Sequence, residues 1–154
     1  MKQWSREIEI NASIEVVWSL FNGSLEEMQK IMPQVIENKL IKETPDKIGS
    51  IYLQVYQEGK RTQQYEVKTL DYLDTEDKKK LKIGFNLANM FDITADYELI
   101  KLDEYKTLFK YTATNNPLKW FVKLAVKLAN DKIVIQFTER VKEVAEEKSK
   151  TAIH

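Results

Sequence analysis

The sequence has no cysteine and only one histidine, His154, which is its last residue. Without cysteine the chain has neither a disulfide framework nor a thiolate zinc site. One terminal histidine cannot provide a Ser–His or Cys–His pair or an ordinary histidine metal site. Glycine is scarce as well, with 4 residues and no Gly-rich phosphate loop. We therefore predict no metal and no cofactor, and any acid–base chemistry would fall to a carboxylate or a tyrosine.

An excess of charge of either sign is also absent, because 24 Lys and Arg residues balance 24 Asp and Glu residues. The chain lacks the positive field that attracts polyanions, so we expect no nucleic-acid partner. No apolar run approaches the roughly 20 residues that span a bilayer, and no signal-peptide pattern precedes Trp4. We expect a cytoplasmic protein with no stable membrane insertion.

The chain of 154 residues is long enough for one domain with a sizeable core. We place this domain at 1–148 and treat 149–154 as a frayed tail. Near the start, Trp4, Ile8 and Ile10 alternate with polar residues, which predicts a half-buried strand.

Two short helices are predicted next. Ser13 and Ser24 each stand where an N-cap is needed, and Ser24 forms a capping box with Glu27. Asn22-Gly23 separates the helices, so they must form a V. The apolar stripe of the first helix, which we expect to be core, contains Ile14, Val17, Trp18 and Phe21.

A period of two then replaces the helical period and predicts six strands joined by short turns. Short connections make antiparallel hairpins, and alternation gives the sheet one apolar face with tyrosines scattered over it. The predicted strands are 35–43, 47–57, 63–72, 79–89, 91–102 and 105–113.

The last stretch, 117–148, predicts one long helix, with Asn116 as its N-cap and Pro117 at the first helical position. It carries two apolar stripes that differ in direction by roughly 110°. One flat partner cannot bury both, so either the helix bends near Asn130 or its halves rest on different neighbours. The second stripe contains Ile133, Phe137, Val141 and Val144.

Local motifs accompany this order of elements. Residues 8–18, IEINASIEVVW, give a strand, a small-residue corner and E-x-V-W on a helix, Ile48-Gly49-Ser50 opens a strand, and 140–146 closes the last helix. Order and motifs together resemble the helix-grip fold of the START-like superfamily, also called SRPBCC, which includes polyketide cyclase/dehydrase-like and birch-pollen-allergen-like proteins. The resemblance implies an α+β fold in which a curved seven-stranded antiparallel sheet wraps around the C-terminal helix and leaves a hydrophobic cavity. It carries no catalytic motif onto this chain.

With that fold, the apolar strand face and the leading half of the last helix would line the cavity. A buried tyrosine must satisfy its hydroxyl, and several tyrosines facing one gap do so with water or with a polar group of a ligand. The alternative is that these residues simply fill the core. The candidate ligand-binding residues are Tyr65, Phe85, Leu87, Ile93, Tyr97, Phe109, Tyr111, Phe121, Leu124 and Leu128.

Three functions fit this sequence. The favoured one is binding of a hydrophobic small molecule such as a lipid, quinone or polyketide, for transport or sequestration. The second is a cyclase- or dehydratase-like enzyme, which would need a strongly perturbed titratable group in the cavity. The carboxylates of Asp92, Asp96 and Glu98 share the charged strand face and fit that role poorly.

The third function is a protein-interaction module resembling the co-chaperones that activate a heat-shock ATPase. It would need an exposed apolar patch, for which the basic amphipathic segment 119–129 is one candidate. No protein partner can be named from the sequence.

Overall fold

The computed structural model describes residues 2–87, 91–117 and 131–153, and in this part of the chain seven strands form one antiparallel sheet accompanied by three helices. The helices are α1 (Ile14–Asn22), α2 (Leu25–Ile31) and α3 (Lys132–Ile153). The strands are β1 (Lys2–Ile10), β2 (Val35–Lys42), β3 (Ile51–Glu58), β4 (Arg61–Asp74), β5 (Lys78–Leu87), β6 (Phe91–Asp103) and β7 (Lys106–Pro117). The predicted helix-grip architecture is confirmed.

The strand order is β1-β7-β6-β5-β4-β3-β2, so β2 to β7 follow one another as hairpins and the first strand adds to the last. Tight connections make this possible, as at Gly59, whose φ of 62° suits glycine in the turn between β3 and β4. Register shifts interrupt the pairs β2–β3, β4–β5 and β6–β7. Such bulges bend a sheet and bring its ends toward the helices.

The helical V is built as the capping residues predict. The Ser13 hydroxyl accepts from the Val16 amide at 3.2 Å, and the Ser24 hydroxyl accepts from the Glu27 amide at 3.3 Å. Between the helices, a Cβ on Gly23 would overlap the carbonyl oxygen of Ser19. Glycine is therefore required where the chain reverses so tightly.

The hydrophobic core lies at one end of the sheet, beneath α1 and the middle of α3. Trp18 and Phe21 belong to it, as predicted. Its completely buried side chains include Ile10, Leu20, Leu99, Phe109 and Val141.

The predicted start of the last helix is wrong. Asn116 and Pro117 are the final residues of β7, where they pair with Asp92 and Phe91 of β6. The last pair of β1 with β7 is Lys2 with Asn115, so Pro117 lies beyond β1 and its missing N–H removes no hydrogen bond on that side. Residues 118–130, which hold the first predicted stripe, the basic segment 119–129 and Asn130, lie outside the described residues.

The second stripe is rotated from the predicted one. Val141 is buried as expected and Phe137 and Val144 are partly buried, but Ile133 is 76% exposed. The buried line is instead formed by Val134, Thr138, Val141, Ala145 and Ser149, on the side of α3 that meets β1 and the two short helices.

The helix also continues through Ile153, past 148, and Ser149 is buried. Neither α3 nor any other helix in the described ranges combines the length and apolar composition needed to cross a membrane.

Candidate functional site

A cavity of about 580 Å³ lies between the inner face of the sheet and the three helices. This volume falls within the roughly 300–1,000 Å³ typical of small-molecule pockets. Strands β2 to β7 contribute inward-facing side chains, α1 and α2 close one side, and α3 contributes Ile133, Gln136, Phe137 and Arg140.

Tyrosine is the most characteristic residue of this cavity, because 6 of the 7 tyrosines in the chain line it. Strand alternation sends every second side chain to the same face, and on β4 the register shift between Thr69 and Asp71 returns Tyr72 to the face of Tyr65. The six are Tyr52 and Tyr56 of β3, Tyr65 and Tyr72 of β4, Tyr97 of β6 and Tyr111 of β7.

Ring contacts fix several of these tyrosines. Tyr65 stacks on Phe85 with centroids 4.8 Å apart and an interplanar angle of 22°. Tyr97 stacks on Tyr111 at 5.5 Å and 11°, and Phe137 of α3 lies 4.8 Å from the Tyr111 ring. Ring pairs of this geometry are favourable, so they stabilise the observed orientation of these tyrosines.

The phenols remain protonated across the physiological range. Burial raises the pKa of Tyr65 to about 12, with a smaller contribution from the neighbouring Tyr56. Burial also raises the pKa of Tyr111 to about 12 and that of Tyr97 well above its usual value. These residues are therefore neutral hydrogen-bond donors and acceptors, not bases.

One wall of the cavity is polar without being charged. Asn38 of β2 lies directly opposite Gln54 of β3, and Ser50 stands beside Thr69, whose amide donates to the Ser50 carbonyl at 2.9 Å. Ser50, Gln54 and Thr69 are all buried. The facing wall, on β5 and β6, is made of Leu81, Ile83, Phe85, Ile93 and Ala95.

Formal charge is sparse in the described lining, which includes Lys47 and Arg140 but no aspartate or glutamate. The Lys47 ammonium pairs with Glu43 at 2.5 Å, and this hydrogen bond raises the pKa of Lys47. The strand carboxylates fit a catalytic role poorly because they form ion pairs on the sheet. Asp96 pairs with Lys80 at 3.5 Å, and Glu98 pairs with Lys78 at 3.0 Å.

Five of the ten residues predicted as ligand-binding line the cavity, namely Tyr65, Phe85, Ile93, Tyr97 and Tyr111. Phe109 does not appear in the described lining. Its side chain is completely buried in the core, where its ring lies 5.6 Å from that of Phe21. The side chain of Leu87, and the residues Phe121, Leu124 and Leu128, lie outside the described part of the structure.

Sequence reasoning missed the contribution of β3. Tyr52, Gln54 and Tyr56 alternate with Ile51, Leu53 and Val55, and it is the polar-aromatic set that faces inward. The alternation of tyrosine and glutamine in β3 indicates this face, although Ile51, Leu53 and Val55 make the opposite face the more hydrophobic one.

Comparison with solved structures supports the fold. A structure of norcoclaurine synthase from Thalictrum flavum in complex with dopamine and hydroxybenzaldehyde matches with a TM-score of 0.62 and 17% identity, over 95% of this chain and 87% of that one. Major latex-like protein 151 from Panax ginseng matches with a TM-score of 0.66 and 16% identity, over 96% and 97%.

The di-domain ARO/CYC BexL matches with a TM-score of 0.72 and 8% identity, over 93% of this chain and 46% of that chain. No protein-family model matches the sequence, and a comparison with curated proteins also finds no match. At these identities the likeness concerns the fold. The chain accordingly has the helix-grip fold of START-like, Bet v1-like proteins.

Proposed function

We propose that this protein binds a hydrophobic small molecule in the cavity between its sheet and its helices, and that it transports or sequesters this molecule in the cytoplasm. The observation that carries the proposal is the 580 Å³ cavity lined by six tyrosines and no described carboxylate. A site of this size, mostly aromatic and aliphatic with a few polar groups, is what a small organic ligand requires.

Binding is favoured over catalysis by the titratable groups of the cavity. Acid–base catalysis needs a group whose pKa lies near the working pH. The pKa values of Tyr65 and Tyr111 are about 12, and burial raises the pKa of Tyr97 well above its usual value. None of the three pKa values therefore lies near neutral pH. A cyclase- or dehydratase-like enzyme stays the second candidate, since the matched structures include a synthase and an ARO/CYC protein.

The first test is native mass spectrometry of the purified protein, together with an organic extract of the same sample. We expect a stoichiometric apolar adduct or, after delipidation, saturable binding of one anilinonaphthalene sulfonate per chain. The absence of both would overturn the proposal.

A cavity-filling variant locates the binding. Ile83→Trp places a larger ring among the inward-facing residues of β5, and we expect dye binding to weaken at least tenfold. Lys82→Trp introduces the same ring at the next position, on the opposite face of the strand, and serves as the matched control. Thermal unfolding of both variants verifies folding. Equal dye affinity in both would place the dye outside the cavity and contradict the proposal.

A further inference from the structure

The cavity is divided by polarity across the sheet. At the edge formed by β2 and β3 the lining includes the amides of Asn38 and Gln54 and the phenols of Tyr52 and Tyr56, together with Val35. The described lining of β5 and β6 is aliphatic or aromatic, and there only Tyr97 carries a polar group. A ligand that spans this space meets hydrogen-bonding groups on one side and mainly hydrocarbon on the other.

The polar side holds hydrogen-bonding capacity that the protein does not use. Four buried side-chain polar atoms in the described residues have no hydrogen-bond partner, and of these only Asn38 Oδ1 belongs to a residue lining the cavity. Such an atom is unfavourable unless a donor reaches it, and a ligand in the cavity reaches this one once the Asn38 side chain turns its oxygen toward the space. Gln54 pairs with Asn38 on β3, and Tyr65 pairs with Gln54 on β4, so three side chains form a row across three strands.

This row mixes donors with acceptors. Asn38 Oδ1 accepts, the Gln54 amide does both, and the Tyr65 hydroxyl does both. A hydroxyl group is the simplest ligand group that donates to one member of such a row while accepting from another.

From this arrangement we propose that the cavity selects an amphipathic ligand with a neutral hydroxylated end, seated on Asn38, Gln54 and Tyr65, and an apolar body lying against β5 and β6. This inference rests on the proposed binding function and adds the chemical class of the ligand.

The charges of the cavity argue for a neutral polar end. A cation would find no carboxylate in the described lining. An anion would find Lys47, already paired with Glu43, and the exposed Arg140 of α3, neither of which belongs to the Asn38–Gln54–Tyr65 row. Transfer of an unpaired charge to an apolar site is far more costly than transfer of a hydroxyl.

The test uses a matched set of probes that share one skeleton, namely trans-stilbene and its para-hydroxy, para-carboxy and para-trimethylammonio derivatives, titrated against the delipidated full-length protein. We expect the hydroxy compound to bind about tenfold more tightly than stilbene, which corresponds to one or two net hydrogen bonds. The charged derivatives should bind more weakly than the hydroxy compound.

Two near-isosteric variants then locate the preference. Asn38→Leu and Gln54→Met should each reduce the ratio of hydroxystilbene to stilbene affinity to near one while leaving stilbene binding intact or improved. Gln64→Met makes the same change at an exposed position of β4 outside the lining and should keep the tenfold ratio. Two independent positions keep the test valid if one variant fails to fold.

Each outcome decides a different claim. Stilbene binding with no advantage for the hydroxyl, or an advantage that survives both variants, would overturn this inference and leave the binding function standing. Tightest binding of the carboxylate would do the same and direct attention to Arg140. Failure of every probe to bind, in a protein that also carries no adduct by native mass spectrometry, would overturn the binding function itself.

Discussion

Lys79 carries a charge where the protein has almost no room for water. The residue is 3% exposed, and its ammonium lies over the Trp18 ring, 6.0 Å from the centroid. Two carboxylates reach it, Asp74 at 2.5 Å and Glu15 at 3.2 Å, and both are well exposed themselves. Desolvation alone would lower the pKa of Lys79, but these two hydrogen bonds raise it above its usual value.

Removing the Lys79 ammonium should therefore destabilise the fold less than removing its two carboxylate partners. Lys79→Met frees two carboxylates that water can solvate, so we expect the free energy of unfolding to change by less than about 1 kcal/mol. The double variant Glu15→Gln/Asp74→Asn leaves a buried ammonium without a counter-charge, and we expect a loss of about 2–3 kcal/mol. Urea unfolding at neutral pH measures both. A larger loss in Lys79→Met than in the double variant would contradict this account.

For single residues, the sequence predicted the cavity lining of β4 to β7 better than that of β3. In β6, Ile93 and Tyr97 alternate with charged residues, so the inward face is obvious. In β3 the outward set includes Val55, which is buried, while the inward set holds Gln54. The more hydrophobic set of β3, Ile51, Leu53 and Val55, lies outside the described lining, so the usual assignment of the apolar face to the interior fails for this strand.

Among the elements, the three helices meet at one side chain. The Lys148 ammonium of α3 donates to Glu27 of α2 at 2.7 Å and to the Ser19 hydroxyl of α1 at 2.8 Å, while Lys30 donates to the other oxygen of Glu27 at 2.9 Å. The hydrogen bonds from Lys148 and then Lys30 lower the pKa of Glu27. This junction joins the V of short helices to the long helix.

Stability should depend on pH through this junction. Because the pKa of Glu27 is lower in the folded protein than its ordinary 4.5, its contribution is complete above that value and is lost as pH falls through the lowered pKa. At pH 7 we expect Glu27→Gln to lose about 1 kcal/mol of unfolding free energy, and the gap to the parent protein should close in acid.

Glu26→Gln provides the matched control, since Glu26 stands one position earlier in the same helix turn and is exposed. Its effect on the free energy of unfolding should be small, because no ion pair of the junction includes Glu26. Chemical unfolding followed across the acid range measures both variants. A Glu27→Gln deficit that persists unchanged well below pH 4 would mean that the junction acts through packing and not through charge.

The order of the elements could be predicted from the sequence, but the extension of β7 to Pro117 could not. Asn-Pro before an apolar stretch is a good helix start in isolation, and strand pairing overrides it here. Because β6 begins at Phe91 and pairs with β7 in antiparallel order, β7 must extend to Pro117 to complete the pairing. That constraint is long-range, so it cannot be seen in the residues near 117.

At the scale of the whole molecule, the cavity is a space open to solvent and not a sealed void. Its 580 Å³ can therefore be filled by water or by a ligand, and the cost of an empty hydrophobic cavity does not arise. The side chains of Asn38, Gln54 and Tyr65 can form hydrogen bonds with either occupant.

The two sides of the cavity differ in how firmly they are held. Strand β2 lies at the sheet edge, pairs only with β3 among the described strands, and has two register shifts in its eight residues. Strand β6 pairs along its length with both β5 and β7. We expect amide hydrogens of β2 and α2 to exchange faster than those of β6, and a bound stilbene probe to slow exchange in β2 and α2 only.

Hydrogen–deuterium exchange followed by mass spectrometry, with β6 as the internal reference, measures this difference. Equal protection of β2 and β6, or a ligand effect confined to β6, would count against it.

The edge position of β2 has a consequence for how cargo is exchanged. Asn38 lies on the edge strand β2, which has one described neighbour, while Ile83 and Ile93 of the apolar wall lie on β5 and β6, which are paired on both sides. Under the proposed binding function we expect a ligand to enter and leave past β2, because a strand held on one side opens at a lower free energy than one held on both.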